Sequence, residues 1–380
     1  MHGAERERGD VAGRRGTARL SDVNRLIVAL IACSAASAQT PAWKFAVSGD
    51  SRNCGDIVMP AIAASALKSE AKFYWHLGDL RAIYDFDEDT VPPEKLGLKA
   101  PHVTIVNYLT KAWPDFIEHQ MKPFGAMEFF LGIGNHETIY PKTREDFVQQ
   151  FRSDLDSPRL HAQRVRDKET GVHPYYHWVM DGAIDFINLD NAGGNTFTPD
   201  EMVWIRKHIA EDRASRSIKT VVVGMHEALP GSKGLSHSMC DAPAGIQTGR
   251  EVYNLLWSLR QSGKNVYVLA SHSHFVMDDV YNTDYWKGKV LPGWIVGTAG
   301  AVRYRLPQGV APGSTTRTDV YGYLLATVMS DQSVQFEFKE VSLADAKAAN
   351  SAKYAESLIE WCYAENRNPQ VPSPTACGAE

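Results

Sequence analysis

A chain of 380 residues exceeds the usual single domain but suits one layered α/β domain with loop insertions. Apolar residues make up 44% and charged residues 22%, an ordinary globular composition that excludes a disordered or fibrous chain. The formal net charge of −5 and a pI near 6.2 give no basic face for nucleic acid. Small phosphates remain possible ligands, because a bound metal supplies positive charge locally.

The chain begins with a leader-like segment. Arg14, Arg15, Arg19 and Arg25 precede an apolar run over residues 26–33, and Ala36-Ser37-Ala38 fits a signal-peptidase site with cleavage before Gln39. Residues 1–38 therefore read as a signal peptide and the protein as exported, periplasmic or extracellular. The run is too short to span a membrane, and nothing later reaches the necessary length. Leu30-Ile31-Ala32-Cys33 also fits a lipobox, so a form anchored by lipid on Cys33 is the alternative. Beyond the leader stand Cys54, Cys240, Cys362 and Cys377, an even set that suits two disulfides in an oxidising compartment. Of three possible pairings, the expected one joins Cys362 to Cys377 and Cys54 to Cys240.

Short apolar runs then follow, each ending in a polar cluster. Phe45-Ala46-Val47 leads to Gly49-Asp50, and Phe73-Tyr74-Trp75 leads to Gly78-Asp79. Residues 84–127 form a long insertion with Asp85, Asp87, Glu88 and Asp89 near its start, read as a solvated acidic loop, with a substrate cap as the alternative. Phe129-Phe130-Leu131 leads to Gly134-Asn135-His136-Glu137. Runs 175–180 and 183–189 flank Asp181-Gly182, a hairpin signal. Thr198-Pro199-Asp200-Glu201 opens a helix with a capping box, and Thr248 to Glu251 repeats the box. Val221-Val222-Val223 leads to His226, and residues 266–269 lead to His272 and His274. A second hairpin is expected over 321–338 and a peripheral helix over 344–365.

Continuous apolar runs are the mark of buried strands. Their alternation with helices and hairpins predicts a four-layer α/β sandwich, with two central mixed β-sheets flanked by helices. The catalytic domain is expected over residues 44–341, with 342–380 as a C-terminal helix and tail.

Binding two ions side by side requires a carboxylate that can bridge them, neutral N and O donors, and open positions for water and substrate. Asp50, Asp79, Asn135, His226, His272 and His274 supply that set at successive strand ends, where α/β folds assemble their sites. Such mixed donors suit Mn, Fe, Co or Zn in divalent or trivalent form.

In this order the motifs Gly49-Asp50-Ser51-Arg52, Gly78-Asp79, Gly134-Asn135-His136-Glu137, Gly224-Met225-His226 and Ser271-His272-Ser273-His274 resemble those of the calcineurin-like metallophosphoesterase superfamily, over residues 45–341. The resemblance implies hydrolysis of a small-molecule phosphate ester, mono- or diester, by a metal-bound hydroxide. It implies that Asp79 bridges two metals, that Asp50 and His274 bind the first, and that Asn135, His226 and His272 bind the second. His136 is implied to stabilise or protonate the leaving oxygen.

Two departures stand out. Arg52 replaces the first motif's His and cannot coordinate; it is expected to hold a phosphate oxygen. The alternative is a metal- or phosphate-binding protein of the same fold that has lost catalysis through this change. Ala82 stands where purple acid phosphatases carry their chromophore tyrosine, so no iron–tyrosinate colour is expected. Arg81, Tyr84 and His237 are further candidates for substrate contact, whereas His76 reads as a hydrogen-bonded core residue.

Overall fold

The computed structural model describes residues 39–81, 108–235, 237–240 and 242–371. The leader with Cys33, Ala82, Tyr84, the acidic stretch 85–89 and Cys377 lie outside the described residues. In chain order the first elements are β1 (Pro41–Ser48), α1 (Gly55–Lys68), β2 (Ala71–His76), α2 (Tyr108–Phe116), β3 (Glu128–Leu131), α3 (Arg144–Gln150), α4 (Arg152–Leu155) and α5 (Pro158–Asp167). Next come β4 (Tyr176–Met180), β5 (Ile184–Asn188), α6 (Pro199–Ala214), β6 (Thr220–Gly224), α7 (Pro243–Gln261) and β7 (Asn265–Ala270). The last are β8 (Val276–Met277), β9 (Gly293–Val296), β10 (Gly322–Met329), β11 (Val334–Glu340), α8 (Leu343–Asn350) and α9 (Glu356–Ala364).

The strands form two mixed sheets, ordered β11-β10-β1-β2-β3 and β4-β5-β6-β7-β9-β8. Strands β1–β2–β3 pair in parallel in the first sheet and β5–β6–β7–β9 in the second. The antiparallel β10–β11 hairpin lies on one flank of the first sheet and β3 forms its other edge, whereas β4 and β8, antiparallel to β5 and β9, edge the second.

Alternation along the strands separates three cores, as a period of two requires. Phe45, Val47, Phe73 and Trp75 face Trp178, Phe186, Val222 and Leu269 between the sheets. Their neighbours Ala46 and Tyr74 face outward onto α1 residues such as Ile57 and Ile62. On the other flank Val221, Val223, Val266 and Val268 pack with Ile205 of α6 and Leu256 of α7. Helix, sheet, sheet, helix is the predicted sandwich. Truncating Phe186, whose ring meets Phe45 at 5.1 Å and Phe73 at 5.2 Å, removes a contact shared by both sheets and costs about 3–5 kcal/mol.

Several local expectations need correction. Residues 108–116 form α2, with Trp113 and Phe116 buried, so the second half of the 84–127 insertion is packed structure, not a solvated loop. Helix α7 starts at Pro243, ahead of the expected Thr248 box. Thr248 lies inside it and returns its hydroxyl to the Ala244 carbonyl at 2.9 Å. At α6, Thr198 does cap Glu201 N, but the Glu201 carboxyl accepts the Asp190 N–H at 2.7 Å instead of completing the box. The single helix expected over 344–365 is two, α8 and α9.

The expected disulfide pairing is also overturned. Cys54 bonds Cys362, with Cα atoms 5.9 Å apart. Cys54 immediately precedes α1, and α1 packs against the C-terminal helices in one core, which brings the two sulfurs within reach. Cys240 is disulfide-bonded as well.

A buried ionic cluster ties α5, β4, β5 and α6 together. His177 Nδ1 lies 2.9 Å from Asp185 and Nε2 lies 2.9 Å from Asp167. Burial alone would lower His177, but Asp185 and Asp167 outweigh it and push it up to about 10. Burial, with Asp185 close by, pushes Asp212 up to about 8. His208, which lies 2.8 Å from Glu169, and Lys264 also face this cluster. Both raised values mean that the folded state keeps protons the unfolded chain releases, so stability declines as pH rises. For His177 the contribution is complete below about pH 6.5 and is lost as pH passes about 10. Thermal melts should show Tm falling steadily from pH 7 to 10, with a flatter slope in Asp212→Asn; a pH-independent Tm over that range would contradict the assignment.

Candidate metal centre

Five loops meet beyond the carboxyl ends of the parallel strands. Asp50 follows β1, Asp79 follows β2, and a 3₁₀ turn, Asn135–Thr138, follows β3. His226 follows β6, and His272 and His274 follow β7. Asp50, Asp79 and His272 all have left-handed backbone, with φ of 61°, 55° and 64°. Such conformations cost roughly 1–3 kcal/mol each and persist only where the surroundings enforce them.

Glycine makes this crowding possible. A Cβ on Gly78, at φ +95°, would lie 2.5 Å from Gly134 N, and one on Gly134 would lie 2.2 Å from Asp79 Oδ1. Glu137 then locks the two loops together. Its buried carboxylate accepts the N–H groups of Gly134 at 2.7 Å, Asp79 at 2.9 Å and Leu80 at 3.0 Å. Burial, and then the charge of Asp79, push Glu137 up to about 7. The sequence contained Glu137 within a motif but gave no hint of this bracing role.

Two donor groups result, Asp79–His226–His272 and Asp50–Asp79–His274, with the donor atoms of each group within 4.8 Å of one another. Asp79 belongs to both. In the first, His226 Nε2 lies 3.0 Å from Asn135 Oδ1, 3.0 Å from His272 Nδ1 and 3.3 Å from Asp79 Oδ1. In the second, His274 Nε2 lies 3.2 Å from Asp50 Oδ1.

Hydrogen bonds on the far side of each ring fix the tautomers. His226 Nδ1–H donates to the Leu77 carbonyl at 3.0 Å, and His274 Nδ1–H donates to the Val302 carbonyl at 2.7 Å. Both Nε2 lone pairs therefore point inward at other acceptors. Asp50 Oδ2 accepts the His272 N–H at 2.7 Å and Asp79 Oδ1 accepts the His136 N–H at 3.1 Å. The other oxygens, Asp50 Oδ1 and Asp79 Oδ2, are buried and accept no hydrogen bond among the described residues. Converging lone pairs and orphaned carboxylate oxygens repel one another unless a cation stands between them. The residues present fit metal ions.

Burial would raise Asp50, yet His274 and His226 hold it below its ordinary value. Burial would likewise raise Asp79, but His226, His136, Arg52 and His272 together hold it low. Burial, and then His226, push His272 well below the usual imidazole range.

Arg52 sits at the edge of this cluster, 9% exposed, with Nε 3.5 Å from Asp79 Oδ2 and Nη1 3.3 Å from His136 Nδ1. A guanidinium only donates, so His136 Nδ1 accepts and the ring proton resides on Nε2. His136 Nε2 lies 3.9 Å from Asp79 Oδ2. His237 is half-buried with its ring 5.4 Å from that of His272. Arg81 is buried, with its guanidinium paired to Asp56 in the first turn of α1. His76 is the core residue expected: Nδ1 accepts Gly78 N–H at 3.2 Å, Nε2 lies 3.0 Å from Ser51 Oγ, and burial pushes it down to about 3. Tyr304, which no sequence pattern singled out, stacks on His274 with ring centroids 4.1 Å apart.

No protein-family profile matches the chain, and no curated protein does. Among solved structures, a purple acid phosphatase from yellow lupin (Lupinus luteus) seeds is similar at a TM-score of 0.51 and 13% identity, over 79% of this chain and 51% of that one. The chain thus spans about half the length of the lupin protein. A structure of PhoD is similar at a TM-score of 0.47 and 13% identity, over 80% of this chain and 72% of that one. At such identity the likeness concerns architecture alone: the chain shares with the lupin structure a fold of two mixed sheets flanked by helices.

Proposed function

We propose that this protein is a metal-dependent phosphoesterase that hydrolyses a small-molecule phosphate mono- or diester at a dinuclear centre. The observation that carries this reading is the pair of donor groups sharing Asp79, each with an orphaned carboxylate oxygen and an inward imidazole lone pair. Asp50, Asp79 and His274 would hold one ion; Asp79, Asn135, His226 and His272 would hold the other. Ions there would supply Lewis acidity, lowering the pKa of water and offsetting phosphoryl charge.

The chain's own groups account for the remainder. Arg52, beside Asp79 and His136, presents a fixed cation to a phosphoryl oxygen. His136, with its proton on Nε2, donates towards the leaving oxygen. The backbone N–H groups that orient Asp50 and Asp79, the latter shared by both donor groups, would keep the donors' geometry set before substrate arrives. Mixed O and N donors suit Mn, Fe, Co or Zn. We place the catalytic domain at residues 44–341 and the protein in an oxidising compartment after export, which the Cys54–Cys362 bond supports. Among the described residues no helix is long and apolar enough to cross a membrane.

A second reading rests on Arg52. Its cation already faces the carboxylate common to both groups, which favours a metal- or phosphate-binding protein without turnover.

Metal-free protein given Mn, Fe, Co or Zn singly should hydrolyse chromogenic phosphate esters only with metal, and the mono- to diester ratio defines the substrate class. Folded protein that retains metal yet turns over no ester selects the second reading. In the enzyme, His136→Ala should keep its metal content and lose about 10²–10⁴ in kcat. Arg52→Met should also keep metal but raise KM by about 10- to 100-fold, the worth of a charge-assisted hydrogen bond; an unchanged KM would remove Arg52 from substrate binding.

A further inference from the structure

The segment beyond β11 lies outside the region whose motifs suggest chemistry, yet two of its contacts reach the metal centre's supports. The first is covalent: Cys362 of α9 bonds Cys54, two residues after Arg52 and four after Asp50. Asn53, between them, accepts the Val302 N–H at 3.0 Å through its side chain. The second is Arg303. This side chain is 4% exposed, and its guanidinium donates to the carbonyls of Cys362 at 3.2 Å, Tyr363 at 2.8 Å, Asn366 at 3.1 Å and Asp319 at 3.1 Å. No carboxylate is among these hydrogen-bond partners. A buried cation is held by the orphan carbonyls and negative end of a helix terminus.

Its two chain neighbours point the other way, onto His274. The Val302 carbonyl accepts His274 Nδ1–H, while Tyr304 donates its N–H to the His274 carbonyl at 3.1 Å and stacks on the ring. Arg303 is therefore the anchor of the clamp that orients His274. Among the described residues the other side of the centre is supported from elsewhere: His226 is oriented by Leu77, and the Asn135 loop is braced by Glu137.

We propose that Arg303 is a positioning residue through which α9 sets the metal affinity of the Asp50–Asp79–His274 group, independently of the group built on Asn135, His226 and His272. This rests on the dinuclear reading above. With Arg52 unable to coordinate, the first group has few protein donors, and the orientation of each weighs heavily.

The test is calorimetric titration of the metal-free full chain with Mn or Zn, with melting temperature and circular dichroism measured alongside. Wild type should bind two ions per chain. Arg303→Met should weaken one of them by about 10- to 100-fold, the usual effect of losing an outer support, and leave the other unchanged. Arg303→Lys should recover part of the loss, and Cys54→Ser with Cys362→Ser should weaken the same ion. Folded variants that bind both ions as wild type does, or lose both equally, overturn the proposal. If Arg303→Met does not fold, the lysine and double-serine variants decide by the same criterion. Wild-type protein that binds no ion would instead overturn the dinuclear reading, and this inference with it.

Discussion

Two carboxylates buried side by side, Asp50 and Asp79, each with an oxygen that accepts no hydrogen bond among the described residues, set the constraint that the rest of this structure answers. Ions removed from water cost several kcal/mol each unless compensated, and like charges in proximity raise that cost. Compensation within the chain comes from Arg52 and from the backbone N–H groups of His136 and His272. Bringing those groups close requires left-handed backbone at three of the donors and glycine at Gly78 and Gly134. The strain sits at the strand ends because the sheets beneath are rigid: Phe45, Phe73, Trp178 and Phe186 interlock between them.

Much of this was legible in the sequence because burial and chemistry leave different traces. Strand interiors such as Val221-Val222-Val223 are apolar on both faces, since one side meets the second sheet and the other a helix. A run of that kind ending in His226 or Gly78-Asp79 marks where the chain leaves the core. The Asp181-Gly182 turn, with φ of 51° and 67°, was legible for a similar reason: few residues tolerate that backbone. Position along the strand thus locates the donors without any knowledge of contacts.

What the sequence hid depends on partners far apart in the chain. The pairing of Cys54 with Cys362 follows from α9 docking on α1, and four cysteines alone leave that choice open. Glu137 and Arg303 act through backbone groups of other segments, and a backbone carbonyl has no residue type by which to recognise it. Tyr304 is one of many tyrosines until its ring is seen against His274. The pairing of Arg81 with Asp56 in the first turn of α1 is another contact between distant segments that residue types alone do not show.

The donors are divided evenly between the sheets, with Asp50, Asp79 and Asn135 on one and His226, His272 and His274 on the other. No ion can meet its full set of ligands until the two sheets have docked, which places the centre among the latest and most non-local contacts to form. Bound metal would then act as a rivet between the layers, adding stability to the docked state alone. Amides on both sheets would slow their hydrogen exchange together when the centre fills, so that occupancy of a few atoms at the strand ends becomes a property of the whole sandwich.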